Sequence, residues 1–293
     1  MKKLLLVDGN SLINRAYYAT SLSNGATYGF LNMFLRCIEN LSITHVAVAF
    51  DVRAKTFRHE MVQKLIDDGD EFFIKEGGYK AHRKGMPDDL AEQFADLKQI
   101  LKTMNISMFE QSGFEADDVI GTMSVMGKEQ GFHVVILTGD KDCLQLITDG
   151  VEVDLTRTGV TNMDIYDEAR FKSEYGITPK QFIDVKALMG DKGDNIPGVR
   201  GVGEKTALKL VQEHGCVENT QYKDDNVAII SKQLATIKCD MDIDVDWDKT
   251  KFEFPLSKQV FDMFKARNFF SFLKRTWWDD ETRIKTPVQQ SFF

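Results

Sequence analysis

Nine acidic residues carry whatever chemistry this sequence has. Phe114-Glu115-Ala116-Asp117-Asp118 packs three carboxylates into four residues, just ahead of an apolar run with helical spacing (Val119, Ile120, Met123, Val125, Met126). Taken alone, that is an acidic first turn of a helix, where carboxylates suit the positive end of the helix dipole. It is not alone. Asp8 follows Leu4-Leu5-Leu6-Val7, Asp51 follows Val46-Ala47-Val48-Ala49-Phe50, and Asp140 and Asp142 follow Val134-Val135-Ile136-Leu137; Asp191 and Asp194 come later in a glycine-rich stretch. A preference of turns for Asp explains any one of these acids but strains to explain all of them. If they converge they repel: two like charges 4 Å apart cost about 1 kcal/mol even in water, and more in a cleft. Convergence therefore implies cations. Carboxylates suit Mg²⁺ and Mn²⁺, and two such ions ~3.5–4 Å apart are the standard device for attacking phosphoryl oxygens.

The elements that must position these acids are strands alternating with helices. Lys2–Val7 and His45–Phe50 read as buried strands, Ile106–Phe109 as a short strand and Val134–Leu137 as another strand, and Val151–Leu155 alternates like a more exposed one. Asp8-Gly9-Asn10-Ser11 reads as a turn. Tyr28–Leu41 and Pro87–Met104 have helical spacing, the second with proline at its start and acids in its first turn. A helix is expected through Leu144 and Leu146, and another from Thr178 through Met189. Such alternation predicts an α/β fold with a mostly parallel central sheet and helices on both faces. Ligands of open α/β sheets gather at the carboxyl ends of strands, where these acids fall.

The chain of 293 residues is long enough for one or two domains, and its composition is that of an ordinary globular protein, 43% hydrophobic and 28% charged. The net charge of −8 argues against a simple basic nucleic-acid coat. It does not argue against a nucleic-acid enzyme, because ions bound by carboxylates invert the local field. Cys37, Cys143, Cys216 and Cys239 lie far apart without metal-site or disulfide spacing. A reducing, cytoplasmic setting fits. Met1–Val7 mimics a signal peptide, but Asp8 and Asn10 cut the apolar run short, and no stretch approaches membrane-spanning length.

Two stretches stand apart from this frame. Residues 52–86 mix basic residues (Arg53, Lys55, Arg58, Lys64, Lys75, Lys80, Arg83, Lys84) with aromatics and acids, and read as a long, partly helical, mobile excursion. Basic groups interleaved with aromatics suit a nucleic-acid strand, although a solvated surface helix has the same composition. Gly190–Ala207 (GDKGDNIPGVRGVGEKTA) is a glycine hairpin running into a helix. Its backbone can approach a phosphate closely, and the helix start offers free N–H groups. After Gly215 the chain is less informative; Val227–Ile237 looks helical, and Leu256–Phe272 reads as an aromatic-rich helix pair that serves packing.

With these motifs in order, Leu-Val-Asp-Gly-Asn (6–10), Phe-Asp (50–51), Thr-Phe-Arg-His-Glu (56–60), Gly-Tyr-Lys-Ala-His-Arg (78–83), Phe-Glu-Ala-Asp-Asp (114–118), Thr-Gly-Asp-Lys-Asp (138–142) and the 190–207 stretch, the sequence resembles the 5′-nuclease (flap endonuclease) family. The likeness is greatest to the 5′–3′ exonuclease domain of bacterial DNA polymerase I. It runs from residue 1 to about 215 and is loose beyond.

The resemblance implies a structure-specific, metal-dependent phosphodiesterase acting on 5′ flaps, 5′ ends and primer RNA. Asp8, Asp51, Glu115 and Asp117 would surround one Mg²⁺, with Asp118 close by. Asp140, Asp142 and Asp191 would serve a second, supported through water by Asp194, and Mn²⁺ would substitute. Lys80 and Arg83 would stabilise charge on the scissile phosphate from an arch, Tyr79 would stack on a base, and Arg15 and Arg58 would touch phosphates. Gly198, Val199, Gly201, Gly203, Lys205 and Thr206 would form a helix–three-turn–helix grip on duplex DNA, with K⁺ on its carbonyls. The implied organisation is a nuclease core over 1–177 including an arch over 52–86, a helical DNA-binding subdomain over 178–276, and a tail over 277–293. The chain departs from the family between Phe57-Arg58-His59-Glu60 and Gly78-Tyr79-Lys80, which stand more than a dozen residues beyond the usual spacing. With no polymerase part after Phe293, it reads as a stand-alone monomeric nuclease. Gln289–Phe293 vaguely resembles peptides that dock into sliding clamps, though an ordinary terminus reads the same way.

Three alternatives compete. A branched-DNA binding protein without catalysis predicts missing carboxylates, yet all nine are present. An aspartyl-nucleophile phosphatase needs Asp-x-Asp after the first strand, and Asp8-Gly9-Asn10 lacks it. A compact RNA-cutting nuclease would share the core acids but not residues 178–214.

Overall fold

The apolar runs pair into one sheet, and burial on both faces explains why they are apolar throughout. In the computed structural model, which describes residues 2–156 and 163–285, the strands are β1 (Lys3–Asp8), β2 (His45–Ala49), β3 (Ser107–Phe109), β4 (His133–Thr138), β5 (Val151–Thr156) and β6 (Met163–Tyr166). They lie in the order β3-β2-β1-β4-β5-β6. All neighbours run parallel except β5 and β6. Leu5 and Val7 of β1 face one apolar core, and Leu4 and Leu6 face the other. A strand covered on both sides needs an apolar residue at every position. The order reverses between β1 and β4, the place where doubly wound sheets open a crevice at their carboxyl ends.

The helices in chain order are α1 (Gly9–Tyr18), α2 (Gly25–Leu41), α3 (Phe57–Asp67), α4 (Glu71–Glu76), α5 (Asp88–Thr103), α6 (Ala116–Glu129), α7 (Glu168–Tyr175), α8 (Phe182–Met189), α9 (Glu204–His214), α10 (Asn226–Ala235), α11 (Lys258–Ala266), α12 (Phe270–Leu273) and α13 (Asp280–Lys285). One core joins the sheet to α1, α2, α5, α11 and α12; the other joins it to α6 through α10. Among the described residues no helix is long and apolar enough to cross a membrane.

Several expectations change. Asp8-Gly9-Asn10-Ser11 is not a separate turn but the first turn of α1, capped by Asp8, whose Oδ1 accepts from Ser11 N at 2.9 Å. Gly9 permits this, since a Cβ there would lie 2.2 Å from the Phe50 ring. The helix expected through Leu144 is a short 3₁₀ segment, Lys141–Leu146. β5 is buried rather than exposed, because β6, which gave no clear signal in the sequence, covers its outer edge. The aromatic helix pair does not join the 178–276 unit. Phe261, Phe264, Phe269 and Phe272 pack with α2 and α5 on the opposite face of the sheet. The clamp-like stretch Gln289–Phe293 lies outside the described residues.

Candidate active site

Each acid of the cleft is aimed by a strand end or a helix start. Asp8 closes β1; its Oδ2 accepts from Thr138 Oγ1 at 2.8 Å, which ties the ends of β1 and β4 together. Asp51 follows β2 and accepts the N–H of Ala116 at 2.8 Å, while its own N–H donates to Asn10 Oδ1. Asp140 follows β4 and caps the 3₁₀ segment by accepting from Asp142 N at 2.9 Å. Asp117 lies in the first turn of α6. Burial comes first in pushing Asp8 up to about 7, with Asp51 and Asp140 adding repulsion. Burial also raises Asp117 well above the carboxylate range, reinforced by Asp8, Asp140 and Asp51, and it raises Asp51.

Asp118 departs from the expectation. It is fully buried, and its two oxygens take the guanidinium of Arg58 at 2.7 and 2.9 Å. They also accept the N–H groups of Glu115 and Lys238. With both oxygens committed inward, Asp118 orients Glu115 and does not line the cleft. Arg58 is corrected with it. The residue is 3% exposed and also donates to the carbonyls of Leu234 and Thr236, so it braces the fold and offers nothing to a phosphate.

A second group of acids is held by lysine. Lys186 of α8 bridges Asp142 and Asp191, 2.5 Å from each. Burial works against the Asp191 carboxylate, but Lys186 and the N–H groups of Gly193 and Asp194 outweigh it and hold it below the usual range. Asp142 remains pushed up to about 6 by burial and by Asp140. Lys80 Nζ lies 2.7 Å from Glu115 and 3.5 Å from Asp194, and Arg83 pairs with Asp194. Tyr79 is not a stacking platform. It is 6% exposed, and its hydroxyl donates to Glu115 Oε2 at 3.2 Å and Asp194 Oδ2 at 3.3 Å.

A cleft of about 520 Å³ is floored by Asp8, Asp51, Glu115, Asp117 and Asp140 and roofed by Lys80, Arg83 and Lys84, while Asp142, Asp191 and Asp194 stand outside its lining. A larger concavity of about 810 Å³ lies elsewhere, lined largely by apolar side chains such as Val125, Leu146, Ile147 and Ile183, and holds no comparable set of acids. Asn10, Ser11, Asn14, Tyr18 and Met86 also line the acid cleft and were missed in the sequence. Tyr18, 76% exposed, presents its ring at the edge of the cleft. Its only signal was its place ten residues after Asp8, at the end of a helix read as a turn. Arg15 is half-buried on the same helix, beside Gly139, where an added Cβ would come within 3.5 Å of its Nη1.

In the glycine hairpin, Gly190 and Gly198 cross so closely that a Cβ on Gly198 would meet Met189 O at 2.2 Å. Gly201 and Gly203 face open space, and Gly198, Lys205 and Thr206 are exposed. Val199 is corrected: its side chain is buried in the core against α8 and α9, leaving only backbone for a ligand.

Among the described residues no three acidic, histidine or cysteine side chains form a ready-made metal cage. The donor chemistry nonetheless fits hard dications. The donors are carboxylate oxygens, several are buried and proton-seeking, and lysines already neutralise others.

The family model of the 5′–3′ exonuclease N-terminal resolvase-like domain matches residues 3–176, and that of the 5′–3′ exonuclease C-terminal SAM fold matches residues 177–258. DNA polymerase I of Bacillus caldotenax is 36% identical over 296 aligned residues, covering 94% of this chain and 32% of that protein. DNA polymerase I of Bacillus subtilis strain 168 is 38% identical, with the same coverage of 94% and 32%. The chain thus spans about a third of the length of the curated relatives it matches. A solved structure described as "Divalent metal ions (zinc) bound to T5 5′-exonuclease" aligns with a TM-score of 0.58 at 25% identity, over 80% of this chain and 86% of that one.

Proposed function

The chain belongs to the 5′–3′ exonuclease family, and on that premise we propose that it hydrolyses phosphodiester bonds at 5′ flaps and 5′ ends of duplex DNA, primer RNA included, with two divalent metal ions. The observation that carries this reading is the meeting of Asp8, Asp51, Glu115, Asp117 and Asp140 beneath Lys80 and Arg83 in one cleft. Asp8, Asp51, Glu115 and Asp117 would hold one ion; Asp140, Asp142 and Asp191, with Asp194 behind them, would hold the other. Bound Mg²⁺ supplies an activated water and neutralises charge on the phosphate.

The chain's own groups do the rest. Lys80 is kept fully charged: burial opposes that, but Glu115 and Asp194 prevail. A phosphate entering the cleft competes with those acids for its ammonium group, so Lys80 and Arg83 can move onto charge that develops there. Asp118, through the Glu115 N–H, fixes the start of α6 and so the direction of Glu115. Gly198, Gly201, Gly203, Lys205 and Thr206 would grip duplex backbone away from the cut, with a K⁺ on the hairpin carbonyls. Contacts of that kind set position and carry little sequence preference, and they let a net-acidic chain hold DNA.

The test is a 5′-labelled flap duplex incubated with the protein in Mg²⁺, in EDTA, and with Asp140→Asn in Mg²⁺. Cutting near the junction in the first tube alone is the expected result. Tight binding without cutting in Mg²⁺ or Mn²⁺ would replace the nuclease by a branched-DNA binding protein.

A further inference from the structure

We infer that the α3–α4 hairpin is a brace that sets Lys80 over the carboxylates before any substrate arrives, with Phe73 as its positioning residue.

The hairpin has its own apolar cluster, separate from the two cores on the sheet. Val62 of α3 and Phe73 of α4, each 1% exposed, pack with Tyr79, Ile196 and Leu234. The cluster therefore joins three things: the α3–α4 hairpin, the loop that carries Asp191 and Asp194, and α10. Asp70 caps α4 by accepting from Phe73 N at 3.1 Å, which fixes the start of the helix that delivers the ring.

Beyond α4 the chain turns sharply. Gly77, Gly78 and Lys80 all have positive φ (87°, 102° and 55°). That conformation is costly for lysine and persists only where its surroundings hold it. The surroundings do so through three ties to one loop. Asn195 Nδ2 donates to Gly78 O at 2.5 Å and to Glu76 O at 3.3 Å, and Lys80 N donates to Asp194 O at 2.9 Å. The Tyr79 ring sits in the cluster while its hydroxyl reaches Glu115 and Asp194. The backbone of residues 77–80 and the Tyr79 ring are thus set by packing and hydrogen bonds that need neither metal nor DNA, and they carry the Lys80 side chain to Glu115 and Asp194. Between Lys80 and α5 the chain is exposed, so the brace acts at one end of the limb and leaves the rest accessible.

The kinetic consequence rests on the nuclease reading; the structural one does not, and hydrogen exchange separates them. In the unliganded protein the amides of residues 77–80 should exchange slowly. Phe73→Ala should speed their exchange at least tenfold while peptides from β1 and β4 keep their protection. Leu234→Ala, which removes the other wall of the cluster, should do the same, and Phe73→Leu should restore most of the protection. On a flap substrate Phe73→Ala should lower kcat about tenfold or more with a smaller change in KM, since Lys80 is misplaced while the duplex grip is intact. Ile74→Ala, on the exposed side of α4, should leave both unchanged. Fast exchange of 77–80 in the wild type, or unchanged exchange in Phe73→Ala, would overturn the brace whatever the activity. Loss of protection throughout the sheet in both alanine variants would overturn it too, by making the cluster part of the general core. Altered exchange with no nuclease activity in any variant would keep the brace and remove the nuclease.

Discussion

Arg58 and Asp118 meet as a two-pronged ion pair, Nη1 to Oδ2 at 2.7 Å and Nη2 to Oδ1 at 2.9 Å, with both side chains out of solvent. This pair stands directly behind Glu115 and joins the start of α3 to the start of α6. It separates Asp118 from the acids beside it in the sequence. Removing one partner leaves a buried, uncompensated charge.

Arg58→Ala should therefore cost about 3–5 kcal/mol of unfolding free energy, measured by urea denaturation in EDTA. Asp118→Asn should lower stability in the same assay yet leave the stoichiometry of Mn²⁺ binding unchanged in calorimetry. A stable Asp118→Asn protein that has lost a Mn²⁺ equivalent would return Asp118 to the ligand set.

The acid cleft should make the metal-free protein weaker as pH rises. Asp8 and Asp142 have folded values of about 7 and about 6 against 3.8 for the ordinary side chain, driven first by burial. Between pH 4 and 7 the folded chain thus keeps protons that the unfolded chain has released. Stability from these groups is fully present below about pH 4 and is lost as pH climbs through the folded values. The Tm in EDTA should fall from pH 5 to pH 8, and millimolar Mg²⁺ should flatten that fall by taking the place of the protons. A Tm that is flat in EDTA would contradict the crowding of these carboxylates.

Asp154 offers a change remote from the cleft. It is 2% exposed on β5, its Oδ1 has no hydrogen-bond partner among the described residues, and burial with the nearby Glu152 pushes it up to about 7. By the same sign, its charge is a burden that grows from pH 4 and is complete above 7. A tenfold change in proton affinity is worth about 1.4 kcal/mol, so the burden approaches ~4 kcal/mol as an upper bound. Asp154→Asn should raise Tm clearly at pH 8 and scarcely at pH 4, followed by circular dichroism. Equal effects at both pH values would show that folding leaves the proton affinity of this carboxyl unchanged.

Much of this molecule was legible in one dimension. Asp8, Asp51 and Asp140 could be read because a parallel strand buried on both faces must be apolar along its length, and the polar residue that ends it marks the carboxyl edge of the sheet. The strands β1, β2 and β4 and the helices α2 and α5 follow from the same periodicity. The family resemblance then tied these edges to one chemistry. Tertiary structure alone decided between neighbours. Asp117 and Asp118 are adjacent and chemically identical, but one turns to the cleft and the other to Arg58, since successive positions on a helix point about 100° apart and only packing sets which faces inward. Arg58, Tyr79 and Val199 were read as contacts for nucleic acid because their types allow it, and each is buried because α10, the 191–196 loop or α8 covers it. Local sequence states what a side chain can do; the partners that arrive from distant segments, and the water they exclude, decide which of those things it does.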